Sequence, residues 1–431
     1  MDYSTLMFYV FAIVSTLYIL HFGFYLVGAN IYDVWQARRH HLRYRAALQG
    51  HAQIYEPLVT VAISAHNEEK VIARCLDSIL HSRYKRVQVL VVDDGSHDST
   101  YYVLQRYQHA HPELDLRIIR KRKNGGKGRA LSYALQRYGR GELAMTCDAD
   151  SILMPTAILN AVSYFTNPRV VGVAANVQII DDFTILGVLQ KFEHMVGYRS
   201  KKIYSITNCE FVIGGVASTY RMDTLREVGF YDEDSVTEDI GLSMKIVARG
   251  NRSNRVMYAS DVVAMTEGVN NFHALLKQRF RWKYGSFQNL IKYRHLIHKR
   301  DWRNYTAWLT HYRMPMAIMS EFALLFAPAI WAYVLYWTFA EISLRLILGA
   351  YMTITIYIFI TIWFDENITL WDRVRLSMYA PIAYCIFYIM DIVQFVAMLR
   401  CLRQIHNLVR QKNTGSTWAS PPRIGREVVT E

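Results

Sequence analysis

Asp148 and Asp150 flank a single alanine where the apolar run Met145-Thr146-Cys147 ends. If that run is a strand, its period of two turns both carboxylates to one side. Acceptor oxygens gathered at a strand end suit a hard divalent cation that also carries diphosphate oxygens. An acidic turn after a strand explains an isolated Asp-X-Asp equally well, so the weight falls on its company. Asp93-Asp94-Gly95-Ser96 closes a second apolar run, Val87 to Val92. Asn67-Glu68-Glu69 follows a third, Leu58 to Ser64. Thr237-Glu238-Asp239 opens a helical pattern, where Thr237 suits the cap and the two acids suit the first turn. A carboxylate held at a cleft edge is equally suited to act as a general base.

Other segments offer complementary chemistry. Asn124-Gly125-Gly126-Lys127-Gly128-Arg129 precedes a helical stretch from Ala130 to Tyr138. Glycines there let backbone N–H groups approach an anion, and Lys127 adds a charge. The spacing is not that of a Walker A loop, and no Ser or Thr follows the lysine. Gly214 to Ser218 is a run of small residues that either approaches a ligand or bends between strands. Gln278-Arg279-Phe280-Arg281-Trp282 lies in a basic amphipathic helix, Phe272 to Ile297, of the kind that rests on a membrane surface.

The elements that must position these residues alternate. Apolar strand-like runs at Leu58–Ser64, Val87–Val92, Leu116–Ile119 and Val170–Val177 are separated by helical patterns at Val71–Leu80, Ser99–His109 and Ala130–Tyr138. Such alternation predicts an α/β fold on a parallel-rich sheet. Ligands of such sheets gather at the carboxyl ends of strands. The three acidic clusters all fall at such ends.

Composition sets the surroundings. The chain has 431 residues with a formal net charge of +13, and hydrophobic residues make up 52%. No nucleic-acid-binding module accompanies the basic residues, which lie instead beside apolar blocks, as juxtamembrane anchors do. The five cysteines show no metal spacing. Leu6–Ala29, Ala317–Ala340, Leu344–Phe364 and Leu376–Leu399 are each long enough to span a bilayer. Arg38 to Arg45 follow the first block, which places Met1 outside and the middle of the chain in the cytoplasm. No basic start or small-residue cleavage site marks a signal peptide, so a retained anchor is expected. Three later spans put the tail outside, whereas Arg400, Arg403, Arg410 and Lys412 favour the inside, and both placements stay open. Glu321 and Asp391 fall within the apolar blocks, where acids face a protein interior or a polar path.

In this order, between Pro57 and Gly285, the four motifs resemble those of the membrane-integrated processive glycosyltransferases of family 2. That group contains the cellulose, hyaluronan, chitin and poly-N-acetylglucosamine synthases. The resemblance implies a GT-A-type nucleotide-sugar transferase domain with transmembrane and interfacial helices. It implies a UDP-sugar donor, a divalent metal (Mg or Mn) and inversion at the anomeric carbon. By position, Ala65, Glu68 and Asp94 are expected at the nucleoside, and Lys127 near it or the phosphates. Asp148 and Asp150 are expected to serve the diphosphate and metal. Asp239 is the expected base with Glu238 beside it, Gln278 and Arg281 hold the diphosphate, and Trp282 stacks on the acceptor. Gly215 and Ser218 resemble the acceptor-side loop only loosely, because the usual preceding cysteine is missing.

The expected organisation is an anchor and basic linker over 1–50, a cytoplasmic transferase domain over 51–265 and interfacial helices over 266–316. Transmembrane helices over 317–400 and a polar tail over 401–431 complete it. The expected partners are donor, growing polysaccharide and membrane lipid, with room for a small membrane subunit and no nucleic acid. Thr237-Glu238-Asp239-Ile240 and Lys277-Gln278-Arg279-Phe280-Arg281-Trp282 most resemble the bacterial poly-N-acetylglucosamine synthases. The implied activity is polymerisation from UDP-N-acetylglucosamine with passage of the β-linked product across the cell membrane. The alternatives are a hyaluronan or glucan synthase, a transferase adding one sugar to a lipid carrier, or a membrane adaptor with a degenerate domain.

Overall fold

A computed structural model describes residues 3–48, 55–180, 184–340 and 344–409. Its centre is one eight-stranded sheet in the order β3-β2-β1-β4-β7-β6-β8-β5. β1 (Val59–Ala65), β2 (Val87–Asp94), β3 (Leu116–Lys121) and β4 (Leu143–Asp148) run parallel, as the sequence pattern predicts. β1 and β2 are buried along almost their whole length, which explains their unbroken apolar runs. The connecting helices are α2 (Ile72–Leu80), α3 (Thr100–Ala110) and α4 (Lys127–Tyr138). α2 turns Ile72, Cys75, Leu76 and Ile79 onto the sheet at helical spacing.

Beyond β4 the sheet becomes mixed. β7 (Ser218–Arg221) is antiparallel to both β4 and β6 (Val170–Ile180). β8 (Arg255–Glu267) runs parallel to β6, and β5 (Ile152–Leu153) antiparallel to β8. β5, β7 and β8 were not legible as strands, nor α5 (Ala157–Tyr164) and α7 (Met222–Val228) as helices. β5 and β7 are too short to show a period, and β8 draws its order from pairing with β6.

Three more helices complete the domain: α6 (Ile185–Ile206), α8 (Glu238–Ala248) and α9 (Phe272–Lys292). Thr237 stands at the N-cap of α8, but its side chain makes no capping bond. Instead its hydroxyl accepts from Asn289 Nδ2 at 3.2 Å, across the interface with α9. The same Asn289 amide donates to Ser235 Oγ at 2.9 Å and to Gly285 O at 2.9 Å. Gly285 is glycine because any β-carbon there would strike Thr237. α9 is therefore bolted to the loop that carries the Thr-Glu-Asp motif, and is not a free interfacial helix.

The N-terminal helix α1 (Tyr3–Leu48) runs without a break through the basic segment expected to be a linker. Its second half docks on the domain: Tyr32 donates to Tyr258 O at 2.9 Å, and Arg39 lies 3.5 Å over the Tyr164 ring. Most α1 side chains before His21 lie outside the described residues. α10 (Met314–Ala340), α11 (Leu344–Trp363), α12 (Leu370–Arg403) and the short α13 (Ile405–Val409) follow. The expected polar tail lies outside the described residues from 410 onward. Among the described residues, two helical segments are long and apolar enough to cross a membrane, Trp308–Ile330 and Cys385–Arg403. The apolar segment Tyr351–Trp363 is shorter.

Gly285→Ala should force α9 off α8 and lower stability by about 1–3 kcal/mol. Thermal unfolding of the detergent-solubilised chain, alongside transfer assays on the folded fraction, reads this. Unchanged stability and activity would show that the two helices are not coupled at Gly285.

Candidate active site

Parallel register sets the ends of the strands side by side. Ala65 pairs with Asp93 across β1 and β2, and Ser64 pairs with Asp148 across β1 and β4. The three acidic clusters therefore meet at one sheet edge. Ala65 itself is wholly enclosed. Glu68 is buried beside it, and its backbone N–H donates to Thr100 Oγ1 at 2.8 Å.

Asp94 is already engaged. Its carboxylate accepts from Lys121 Nζ at 2.5 Å, from Gly125 N at 3.0 Å and from Gly126 N at 2.8 Å. Gly126 takes a φ of +88°, a left-handed conformation that favours glycine. The glycine amides expected to face a phosphate thus hold an internal carboxylate, which fixes the start of α4.

That start presents Lys127 to an acidic cluster. Its ammonium lies 2.5 Å from Asp148 Oδ1 and 3.3 Å from Glu238 Oε1. Burial opposes the charge on Lys127, yet Asp148, Glu238 and Asp239 hold its pKa above the ordinary lysine value. Asp239 sits in the first turn of α8, where Oδ1 accepts its neighbour Ile240 N at 2.9 Å. Burial pushes the Asp239 carboxyl up to about 6, Glu238 adds to the rise, and Lys127 and Arg281 oppose it. Gly215 faces the same spot: a β-carbon there would stand 2.8 Å from Lys127 Nζ and 3.6 Å from Asp239 Oδ2. Ser218 is fully buried and turns its hydroxyl back to the Gly214 carbonyl, so it supports the loop and offers no surface to an acceptor.

Asp148 and Asp150 are not related by strand period. β4 ends at Asp148, and a turn closed by Ser151 N donating to Asp148 O (3.0 Å) carries Asp150. Asp150 is buried against β8, where Thr266 Oγ1 donates to its Oδ2 at 3.2 Å. Asp148 keeps about a third of its side chain exposed. No group of three or more His, Cys, Asp or Glu side chains able to hold a metal occurs among the described residues. Two carboxylates at a strand end nevertheless fit a hard cation whose other ligands are diphosphate oxygens and water.

α9 brings the last motif. Arg279, passed over in the sequence, is its most buried charged residue. It pairs with Glu193 of α6 and lies 4.1 Å from the Trp282 ring centre. Burial lifts the Glu193 carboxyl above its ordinary value, against the pull of Arg279 and Lys283. Nothing in the sequence marks Glu193, because the pairing depends on α6 crossing α9. Lys283, next to Trp282, binds Glu321 of α10 at 2.6 Å. Gln278 Oε1 is buried and has no partner among the described residues. Arg281 lies close enough to act on the charge of Asp239. The structure thus joins Asp94, Lys127, Asp148, Gly215, Glu238 and Asp239 in one network, with Gln278, Arg281 and Trp282 on the helix fastened beside it.

Such a sheet edge, with carboxylates converging on a half-buried lysine, belongs to nucleotide-sugar transferases of GT-A type. The family model described as glycosyl transferase family 2 matches residues 60–229, and that of glycosyl transferase family group 2 matches residues 145–397. The second match spans more than half of the chain, and the chain belongs to this family of glycosyltransferases. It is similar to poly-beta-1,6-N-acetyl-D-glucosamine synthase of Staphylococcus epidermidis, with 26% identity over 237 residues. The same-named protein of Staphylococcus aureus (strain COL) is 27% identical over 239 residues. Each match covers 54% of this chain and 56% of the relative, so the chain spans about half the length of the curated relatives it matches. A mannosyltransferase from Pyrobaculum calidifontis, solved with GDP-Man and Mn2+, shares the fold at a TM-score of 0.51. Its identity is 22%, over 80% of this chain and 100% of that one.

Asp239 yields a signed pH prediction. As a base it must be ionised, so kcat/KM should fall about tenfold per pH unit below about 6 and level off above it. Its folded pKa exceeds the ordinary 3.8, so ionisation costs the folded state stability as pH rises through about 6. Asp239→Asn should lose about 10²–10⁴ in transfer rate. It should also melt higher than wild type at pH 7–8, with the gap closing toward pH 4. A wild-type pH profile flat between 5 and 8 would remove Asp239 as the base.

Proposed function

We propose that the chain is an inverting, processive glycosyltransferase that builds a β-linked polysaccharide from a UDP-sugar at a membrane. The observation that carries this reading is Asp239, a half-buried carboxylate raised toward neutrality beside Gly215 and Lys127, on a helix bolted to the one bearing Trp282. The names of the staphylococcal relatives support UDP-N-acetylglucosamine as donor and a β-1,6 linkage.

In the proposed reaction an acceptor hydroxyl oxygen bonds to the anomeric carbon from the face opposite the diphosphate. The bond from that carbon to the diphosphate oxygen breaks, and UDP leaves with its electron pair. Asp239 takes the hydroxyl proton, which a carboxyl with a pKa near 6 receives readily and returns to solvent. Arg281 and Gln278 meet the growing charge on the leaving group with hydrogen bonds, and Lys127 stands ready to exchange its Asp148 contact for it. Asp148 and Asp150 would hold a divalent cation, which when bound would supply Lewis-acid neutralisation of the diphosphate. Trp282 offers an apolar face to sugar C–H groups, a grip that tolerates sliding.

The membrane setting is supported by α10, where Met319, Phe322, Phe326 and Ile330 recur at helical spacing and are all exposed. A stripe of that kind is stable against lipid and not against water. Two exposed runs on one chain, with Met378 and Ile382 of α12 forming the second, fit a multi-pass protein with the transferase domain in the cytoplasm.

Membranes carrying the full chain, given a panel of labelled UDP-sugars, should yield a ladder of long products from UDP-N-acetylglucosamine, and excess chelator should silence it. A single added sugar on lipid would replace the processive reading, and full turnover in chelator would remove the metal. Trp282→Phe keeps an aromatic face and should retain polymer synthesis, whereas Trp282→Leu should lose at least the roughly tenfold that aromatic contact is worth. Equal polymer yield from both variants at matched protein level would show that Trp282 does not hold the acceptor.

A further inference from the structure

A second cavity, apart from the transferase site, opens between α6, the end of β6 and the loop joining α11 to α12. It encloses about 530 Å³, counting its mouth. α6 lines it with three cations, Lys191, Arg199 and Lys202, each more than nine-tenths buried. Only one carboxylate, Asp365, lines it among the described residues. That carboxylate is turned into its own loop, accepting from Asn367 N at 2.9 Å. Lys202 is balanced by Asp33 of α1 at 2.5 Å.

Arg199 makes no direct ion pair, although Asp33 and Asp365 lie close enough to favour its charge against burial. Its Nη2 donates to the neutral Asn30 Oδ1 at 3.1 Å, and its buried Nε has no partner among the described residues. Gln178 Nε2, on the β6 wall, is likewise buried without a partner. Two orphaned N–H donors and a buried guanidinium in one cavity call for an anionic oxygen group. Burying such donors unmet is costly, so a ligand that meets them binds with that free energy.

The position selects the source of that group. The cavity lies where α11 ends, at Trp363, and where α12 begins, at Leu370, beside the docked half of α1. Trp363, Phe364, Leu370 and Trp371 at this loop are all exposed, as are Ile31 and Val34 of α1 next to the residues holding Arg199 and Lys202. A basic recess rimmed by exposed aromatic and aliphatic side chains matches a phosphate that carries acyl chains.

We propose that this cavity binds the phosphodiester of an anionic membrane lipid, with Arg199 and Gln178 as its hydrogen-bond donors. The proposal rests on the membrane reading above. The cavity would then fix α6, and through Glu193 and Arg279 the helix of Trp282, to the bilayer surface.

Native mass spectrometry of the full chain in mild detergent, titrated with phosphatidylglycerol or phosphatidylcholine, tests it. The expected result is one tight phosphatidylglycerol adduct on wild type, weakened about tenfold or more in Arg199→Gln. Arg199→Lys should recover part of the binding. Gln178→Leu provides a second reading if the arginine variant does not fold. Equal adducts for both lipids, unchanged by either substitution, would overturn the proposal. Removal of the adduct by millimolar inorganic phosphate, with the same phosphate stabilising lipid-free wild type, would assign the cavity to a soluble anion and overturn the lipid source. Recovery of the chain in the soluble fraction without detergent would overturn the membrane reading itself, a result distinct from detergent-dependent protein that lacks the adduct.

Discussion

The ammonium of Lys127 is what allows three carboxylates to occupy one half-buried corner. Asp148, Glu238 and Asp239 come from two elements that are distant in sequence, and without a cation between them their mutual repulsion would keep at least one protonated. Asp94 holds the start of α4, α4 holds Lys127, and Lys127 draws the Thr-Glu-Asp loop against the end of β4. A side chain at Gly215 would press on the Lys127 ammonium and displace it from this corner. Each contact around the corner follows from placing one positive charge there.

This arrangement also separates roles that the residue types leave mixed. Glu238 is spoken for by Lys127, whereas Asp239 is lifted toward neutrality by burial and by Glu238 itself. Two adjacent acids in one helical turn thus receive different duties from their surroundings. Similar environments divide paired carboxylates into acid and base in many enzymes.

The first half of the fold could be read from the sequence because parallel strands buried on both faces need unbroken apolar runs, and these alternate with amphipathic helices. The mixed half could not. β7 and β5 are held by their neighbours, not by their own pattern, and β8 contains Arg255, Ser260 and Asp261 among its apolar positions. At the site, the acids and the lysine were visible as motifs, but their partners were not. Glu193, Thr266 and Asn289 lie far along the chain from Arg279, Asp150 and Thr237, and only the packing of α6, β8 and α9 brings them near. Strand period misled at Asp150 because the strand stops two residues earlier. The glycine amides were expected to meet a ligand, and a side chain of the protein itself had claimed them.

α9 is fastened at two levels. Gly285 and Asn289 seat it against the loop of the Thr-Glu-Asp motif, and Lys283 ties it to Glu321 of α10. A rod clamped in this way transmits tilt. For a chain set in a bilayer, a thinner or thicker hydrocarbon layer changes the angle at which a long helix such as α10 lies. That change would reach α9 through the Lys283 ion pair and arrive at Asp239 and at Trp282 together. Their mutual spacing is preserved while their pose against the sheet shifts. Under the proposed function, catalytic rate would follow membrane thickness with no dedicated sensor domain.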